Sequence, residues 1–275
     1  MQAARWLTCQ AESCYRVSMH HSYIDRFAQG DSPIHRLDAR AKLLAVVAYM
    51  VVLISFDRYA VTVLVPLAVI PLGLLALGRT PIWFALRRVI VLSPFILAIC
   101  LASAWYDRSM HYVAFGPWQF VVSGGWLTSA DIGIKFALGL FALTALTSTT
   151  PFAMLLEAMR KLGAPKMLVM QLGFVYRYLF VLIDEAMRIR RGRDFRGAKQ
   201  APAARRLAAT GAIIGSLFIR TVDRSDRIYT AMLARGYRGE SHGLSTLRFS
   251  WSDAAFLAGV AAYLLGCRWA YPLVL

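Results

Sequence analysis

The sequence predicts an all-α, polytopic integral membrane protein with about five transmembrane helices and a pair of long cytoplasmic helices. Three observations lead to this fold class. The chain of 275 residues is 58% hydrophobic, whereas soluble domains are about half apolar. It nevertheless carries 31 Lys and Arg against 15 Asp and Glu. These charges avoid the long apolar runs and gather between them, as in loops that flank membrane spans.

Five apolar runs approach the roughly 20 residues that a helix needs to cross the hydrocarbon core. Several of them are short, so we expect tilting or extension into the flanking residues. The runs are 43–56, 61–77, 89–105, 132–147 and 256–271. They divide the chain into an N-terminal segment, four spans, a central helical region and a last span, with bounds at 1–40, 41–150, 151–250 and 251–275.

The distribution of Lys and Arg predicts the orientation of the chain, because cytoplasmic loops are enriched in positive residues. With the N-terminus inside, the segments 1–42, 78–88 and 151–250 carry 6, 3 and 18 basic residues, and four of the 31 lie outside. We therefore expect a multi-pass protein of the cell inner membrane with a cytoplasmic N-terminus. The aromatic and Gly-rich 106–130 loop then faces out.

The 151–250 region predicts three helices. Thr150-Pro151 begins a short amphipathic helix that Gly163-Ala164-Pro165 ends, since Pro suits the first helical turn and Gly the position after the last. A second helix covers 166–196 and a third covers 203–235, each about 45 Å long at 1.5 Å per residue. Apolar residues of the third recur at helical spacing: Ile214, Leu217, Phe218, Thr221, Ser225, Ile228 and Met232. We expect the long helices to form a hairpin partly embedded at the membrane surface.

Both long helices end in an Arg-Gly pair, in Phe195-Arg196-Gly197 and in Ala234-Arg235-Gly236. Gly after a helix permits the left-handed conformation, and a cation in the last turn suits the helix dipole. Each pair alone is therefore explained as a C-cap. Arginine also presents a planar donor fork that matches a carboxylate. Two such ends on one basic hairpin favour docking points for two copies of an acidic partner.

Other motifs in the sequence do not form a recognisable catalytic, phosphate-binding or metal-binding site. Gly192-x4-Gly197 lacks the Lys-Ser/Thr of a phosphate-binding loop, and Cys9-x4-Cys14 with His20-His21 fits no standard zinc spacing. Basic residues are not interleaved on a folded polar surface, which argues against nucleic-acid binding. We predict no catalytic residue, no directly bound cofactor and no metal ligand, because no convergent cluster forms from Asp107, His111, Glu157, Asp184 and Glu185.

These residues resemble the transmembrane (T) component of an energy-coupling-factor (ECF) transporter, in particular the cobalt/nickel type, the CbiQ family. The resemblance covers about residues 24–249 and includes the GDSPIHRLDARAK segment at 30–42, Tyr176-Arg177-Tyr178 and the DEAMRIR segment at 184–190. The family carries two Ala-Arg-Gly signatures on two coupling helices. The second is intact at 234–236, while the first has Phe195 where Ala is usual.

The resemblance implies a non-catalytic subunit that passes ATP-driven motion from two cytoplasmic ATPase subunits to a separate membrane substrate-binding (S) subunit. The coupling helices would cross on the cytoplasmic side. ATP would bind the ATPases, and Co²⁺ or Ni²⁺ would bind the S subunit. The docking residues would be Phe195, Arg196, Gly197, Ala234, Arg235 and Gly236. The alternatives are a T component of a vitamin module, a membrane-embedded lipid-modifying transferase and a self-sufficient secondary carrier.

Overall fold

The computed structural model describes residues 30, 32–56, 61–106, 110–115, 118–195, 202–238 and 249–274. These residues form nine helices and one antiparallel strand pair. The elements in chain order are α1 (Ala39–Ser55), α2 (Val61–Leu67), α3 (Val69–Leu77), α4 (Ile82–Tyr106), β1 (Met110–Phe115), β2 (Trp118–Ser123), α5 (Gly124–Thr149), α6 (Phe152–Lys161), α7 (Lys166–Phe195), α8 (Ala203–Ala234) and α9 (Trp251–Val274). The predicted helical class is confirmed.

One feature of the fold differs from the expectation of a loop at 106–130. Strands β1 and β2 pair there in antiparallel register, with Met110 opposite Ser123 and Phe115 opposite Trp118. The segment is rich in aromatic and β-branched residues, which favour strands over irregular loops.

The chain divides into two compact units. The bundle unit comprises Asp25–Ala158 and Thr246–Leu275, and the hairpin unit comprises Met159–Ser245 and Met1–Ile24. Among described elements, the bundle unit holds α1–α5, the strand pair, most of α6 and α9, while α7 and α8 belong to the hairpin unit. The predicted segment bounds at 40, 150 and 250 refer to membrane topology, and they stay a prediction.

Helix α5 is central in the bundle unit, where it packs against α1, α2, α3 and α4. Its contact with α1 is close, because a Cβ atom added to Gly139 would lie 3.3 Å from the sulfur of Met50. Small residues allow such approaches between membrane helices. The larger apolar core of the bundle includes Tyr49, Leu53, Leu64, Leu67, Leu138, Ala142, Leu146 and Leu264.

The run predicted as one span over 61–77 is divided at Ala68 into α2 and α3. Pro71 has no N–H group to donate to the carbonyl of Leu67, four residues earlier. The buried hydroxyl of Tyr49 donates to that carbonyl instead, at 3.2 Å. Similarly, the hydroxyl of Tyr263 donates to the carbonyl of Pro66 at 2.8 Å. Neighbouring helices thus satisfy carbonyls at the break, as backbone in an apolar environment requires.

Buried polar groups join the starts of α1 and α9 to the end of α5. The carboxylate of Asp253 accepts from the backbone N–H of Asp38 and from that of Ser250, both at 2.8 Å. The ammonium of Lys42 donates to the carbonyl of Thr149 at 3.1 Å, where the helix dipole of α5 favours a cation. Lys42 and Asp253 are only 4% and 2% exposed, so these contacts fix three helices of distant sequence.

Three helices of the described chain are long and apolar enough to cross a membrane: Ile82–Trp105, Gly124–Thr149 and Lys166–Phe195. The first two contain the predicted spans at 89–105 and 132–147. The third is α7, which the sequence predicts as part of the cytoplasmic hairpin. The runs at 43–56, 61–77 and 256–271 lie in α1, in α2 with α3, and in α9. The number of spans therefore stays a prediction.

Candidate docking site at the ends of the α7–α8 pair

Helices α7 and α8 form an antiparallel pair, as three contacts along their length show. The hydroxyl of Tyr237, just after α8, contacts the sulfur of Met170 near the start of α7. In the middle, Arg220 donates to Glu185 at 2.7 Å. Near the other end, Arg193 donates to the hydroxyl of Thr210 at 3.3 Å. The predicted bounds of both helices agree with the structure to within one residue.

The C-terminal end of α8 is a Schellman motif built around the second Arg-Gly pair. Gly236 has φ of 78°, the left-handed conformation that glycine adopts without a Cβ penalty. The N–H of Tyr237 donates to the carbonyl of Met232 at 3.0 Å, and that of Gly236 to the carbonyl of Leu233 at 2.9 Å. These two bonds define the motif. The predicted role of Gly236 as a helix-ending residue is confirmed.

Arg235 occupies the C-cap position of this motif, with φ of −89° and ψ of 9°. Its side chain is exposed, as is Ala234 beside it. Within the described part of the chain, the guanidinium group of Arg235 makes no hydrogen bond or ion pair. A cation presented in this way has all five N–H donors available for an external acceptor.

The first Arg-Gly pair lies at the end of α7, and only part of it is described. Phe195, its first residue, is 90% exposed. Arg196 and Gly197 lie outside the described residues. A large aromatic side chain that is almost fully exposed at a helix end is available for contact with another molecule.

The two predicted docking ends lie at opposite ends of the antiparallel pair. Tyr237 contacts Met170, so the Arg235 end of α8 lies beside the start of α7. Phe195 is 25 residues further along α7 than Met170, which corresponds to about 37 Å at 1.5 Å per residue. This separation leaves room for two partner copies, one at each end.

Between these ends, one carboxylate joins the helices. Glu185 accepts from Arg220 on α8 and from Arg188 on its own helix, and both arginine side chains are largely exposed. Exposed pairs of this kind contribute about 0–1 kcal/mol each. These ion pairs therefore add little to the cohesion of the two helices.

Comparison with known proteins identifies the family. The family model CbiQ, described as cobalt transport protein, matches residues 30–245, which include both Arg-Gly pairs. The chain belongs to the CbiQ family. The predicted T component of an ECF transporter, a non-catalytic membrane subunit, is thereby confirmed.

Three relatives of this CbiQ protein carry the same description, energy-coupling factor transporter transmembrane protein EcfT. The protein of Lactococcus lactis subsp. cremoris is 28% identical over 90% of this chain and 96% of its own. That of Bacillus selenitireducens is 27% identical over 86% of this chain and 91% of its own. That of Bacillus subtilis is 27% identical over 80% of this chain and 86% of its own.

The other patterns noted in the sequence have these positions in the CbiQ chain. Cys9, Cys14, His20, His21 and Asp107 lie outside the described residues, and the side chain of His111 is likewise not described. Glu157 is in the bundle unit, whereas Asp184 and Glu185 are in the hairpin unit. In the described part of the chain, no group of three or more His, Cys, Asp and Glu side chains is placed to hold a metal ion.

Replacement of Gly236 with Ala is expected to loosen the end of α8. A Cβ atom there would meet nothing within 4 Å, so the whole cost is the left-handed backbone conformation, about 1 kcal/mol. Hydrogen–deuterium exchange of the Tyr237 amide, which the motif protects, should rise about fivefold. Gly215→Ala is the matched control, because Gly215 lies inside α8 with open space around it. There Ala should stabilise the helix by about 0.5–1 kcal/mol. Equal effects of the two variants would contradict this account.

Proposed function

We propose that this chain is the energy-coupling subunit of a transporter for cobalt or nickel. In this proposal it passes ATP-driven motion from two cytoplasmic ATPase subunits to a separate membrane subunit that binds the metal. The observation that carries the coupling role is the antiparallel arrangement of α7 and α8, which places Phe195 about 37 Å from the Arg235 end of the pair. This arrangement suits two identical partners that move relative to each other.

Each arginine motif would dock in a groove of one ATPase subunit. Arg235 supports this role because it is exposed and its guanidinium has no partner in the described chain. A groove lined by carboxylates would bind it by bidentate, charge-assisted hydrogen bonds. At the other end, Arg196 would make the equivalent contact, and the exposed ring of Phe195 would lie against the groove wall in place of the usual Ala.

Motion of the ATPases would reach the substrate-binding subunit through the helices themselves. Helix α8 presents exposed apolar side chains that do not line the cavities between it and α7, among them Ile214, Phe218, Val222 and Leu233. An apolar surface of this extent indicates contact with another protein or with the membrane. We propose that it contacts the substrate-binding subunit, which would tilt as the two arginine ends separate or approach.

The transported metal and the nucleotide belong to partners in this proposal. ATP binds the ATPase subunits, Co²⁺ or Ni²⁺ binds the substrate-binding subunit, and this chain binds no cofactor directly. The segments 1–42, 78–88 and 151–250 lie in the cytoplasm, as the excess of Lys and Arg in them supports. Cobalt is supported by the description of the matching family. The descriptions of the EcfT relatives name an energy-coupling factor transporter and no metal, so a second candidate is a T component that serves substrate-binding subunits for vitamins.

Affinity purification of the tagged chain from its native membrane tests the proposal. We expect two ATPase copies and one metal-binding membrane subunit in the eluate. Reconstituted vesicles should accumulate radioactive cobalt or nickel only with ATP. Recovery of a vitamin-binding subunit would replace the metal by a vitamin and leave the coupling role intact. Absence of ATPase subunits, or ATP-independent uptake by this chain alone, would contradict the coupling role.

A further inference from the structure

A groove with two chemically different halves lies between α7 and α8. One half is a cavity of about 300 Å³, a size within the range of small-molecule sites. Apolar and aromatic side chains line it almost entirely, among them Met170, Phe174, Leu182, Ile228, Tyr229 and Met232. On α7 these residues belong to the apolar part of the helix, which precedes its charged part.

The other half of the groove is a cavity of about 670 Å³ with a basic lining. It continues from the apolar cavity, because Tyr178, Leu182 and Ile228 line both. Its charged residues are Arg188, Arg220, Arg224, Arg227, Glu185 and Asp223. Four cations thus face two carboxylates, and one carboxylate, Glu185, already joins Arg188 and Arg220.

Two of these arginines have donors left for a ligand. Arg224 lines both cavities and makes no hydrogen bond or ion pair with any part of the chain that the structure describes. Among the described residues, Arg227 donates only its Nε–H, to the carbonyl of Asp223 at 3.2 Å. They lie three residues apart on one helix, so their guanidinium groups project from the same side of α8.

We propose that this groove binds one anionic phospholipid, with an acyl chain in the apolar cavity and the phosphate against Arg224 and Arg227. The groove changes from apolar to cationic in the order that a lipid changes from acyl chain to headgroup. Two other ligands fit the groove less well. A free phosphate would leave the apolar half empty, and the cationic headgroup of a zwitterionic lipid would lie in a cavity that is already basic. The membrane environment of the chain supplies anionic lipids directly, and basic residues near a bilayer attract them.

Native mass spectrometry of the full-length chain in detergent tests the proposal. Dioleoyl-phosphatidylglycerol should bind as one retained copy at concentrations where dioleoyl-phosphatidylcholine is not retained. Arg224→Gln and Arg227→Gln should each lower the affinity for phosphatidylglycerol by about fivefold. Arg205→Gln, an exposed arginine on the same helix outside the groove, makes the same charge change and should leave the affinity unchanged.

A second variant pair tests the apolar half without altering charge. Ser225 lines the apolar cavity, so Ser225→Trp should fill it and abolish the retained copy. Thr230→Trp, an exposed position on α8 outside both cavities, is its control. The proposal would be overturned if Arg205→Gln and Arg224→Gln lowered the lipid affinity equally, or if Ser225→Trp still retained the lipid. It would also be overturned if glycerol phosphate competed for the groove as effectively as lipid. Photo-crosslinking in native membranes from a benzophenone amino acid at position 225 to a protein instead of a lipid would likewise overturn it.

Discussion

Replacing Arg196 and Arg235 together with Glu is expected to abolish co-purification of the ATPase subunits and transport by the complex. In the proposed docking role, each change would remove a cation from a groove lined by carboxylates and place a like charge there. Removing one partner of a buried charged hydrogen bond costs about 2–5 kcal/mol, and repulsion adds to that. Membrane insertion should be unchanged, because neither residue lies in an apolar run. The measurements are the stoichiometry of the purified complex and the amount of the chain in membranes.

A control for net charge is available on the same two helices. Arg190→Glu with Arg205→Glu makes the same total change in charge, and both side chains are exposed on α7 and α8. This control should keep the ATPases bound. A complex of full stoichiometry in the Arg196 and Arg235 double variant would refute the docking role, and loss in both double variants would assign the effect to overall charge.

The single variants separate the two ends. Arg235→Ala should weaken assembly without abolishing it, since in the proposed complex the Arg196 end would still hold one ATPase subunit. Arg196→Ala tests the altered end, where Phe195 is 90% exposed. A smaller effect there than at Arg235 is expected if the Phe195 ring contributes contact area of its own.

The ends of helices α6, α7 and α8 were predictable because local chemistry determines them. Gly163 has φ of 96° and Gly236 has φ of 78°, and only glycine enters that region freely. Pro151 and Pro165 precede α6 and α7 as helix-starting residues do. The paired Arg-Gly ends were recognisable for the same reason, since their signal lies within three adjacent residues. That the two ends lie opposite each other depends on antiparallel pairing of α7 with α8, which sequence order alone only suggested.

Features that depend on distant residues could not be predicted in the same way. The break between α2 and α3 follows from proline, yet membrane helices often tolerate proline. Pro66 and Pro71 alone therefore did not show whether 61–77 forms one helix or two. The carbonyl acceptors that Tyr49 and Tyr263 satisfy became visible only in the structure. The strand pair had a detectable signal in its β-branched and aromatic residues. The groove at Arg224 needed both helices to be placed.

The hydrogen bond from the backbone N–H of Asp38, at the start of α1, to the Asp253 carboxylate also could not be predicted. Asp253→Ala is expected to lower the free energy of unfolding by about 2–4 kcal/mol. The variant leaves the buried N–H of Asp38 without an acceptor, which costs about 1–3 kcal/mol, and removes the cap at Ser250, worth about 1 kcal/mol. The midpoint of thermal unfolding in detergent should fall by several degrees. Asp226→Ala, at an exposed position of α8, is the matched control and should change stability by less than about 0.5 kcal/mol.

A double-mutant cycle determines whether Lys42 and Asp253 are energetically coupled. The ammonium of Lys42 is buried, bound to the carbonyl of Thr149, and influenced by the charges of Asp253 and Asp38. Lys42→Met alone removes the cation that balances two buried carboxylates, and such changes cost about 3–5 kcal/mol. Since Asp253→Ala removes one of those carboxylates, the double variant should be less destabilised than the sum of the single variants, by about 0.5–3 kcal/mol. Strict additivity would mean that Asp253 acts only through the backbone N–H groups that it accepts from.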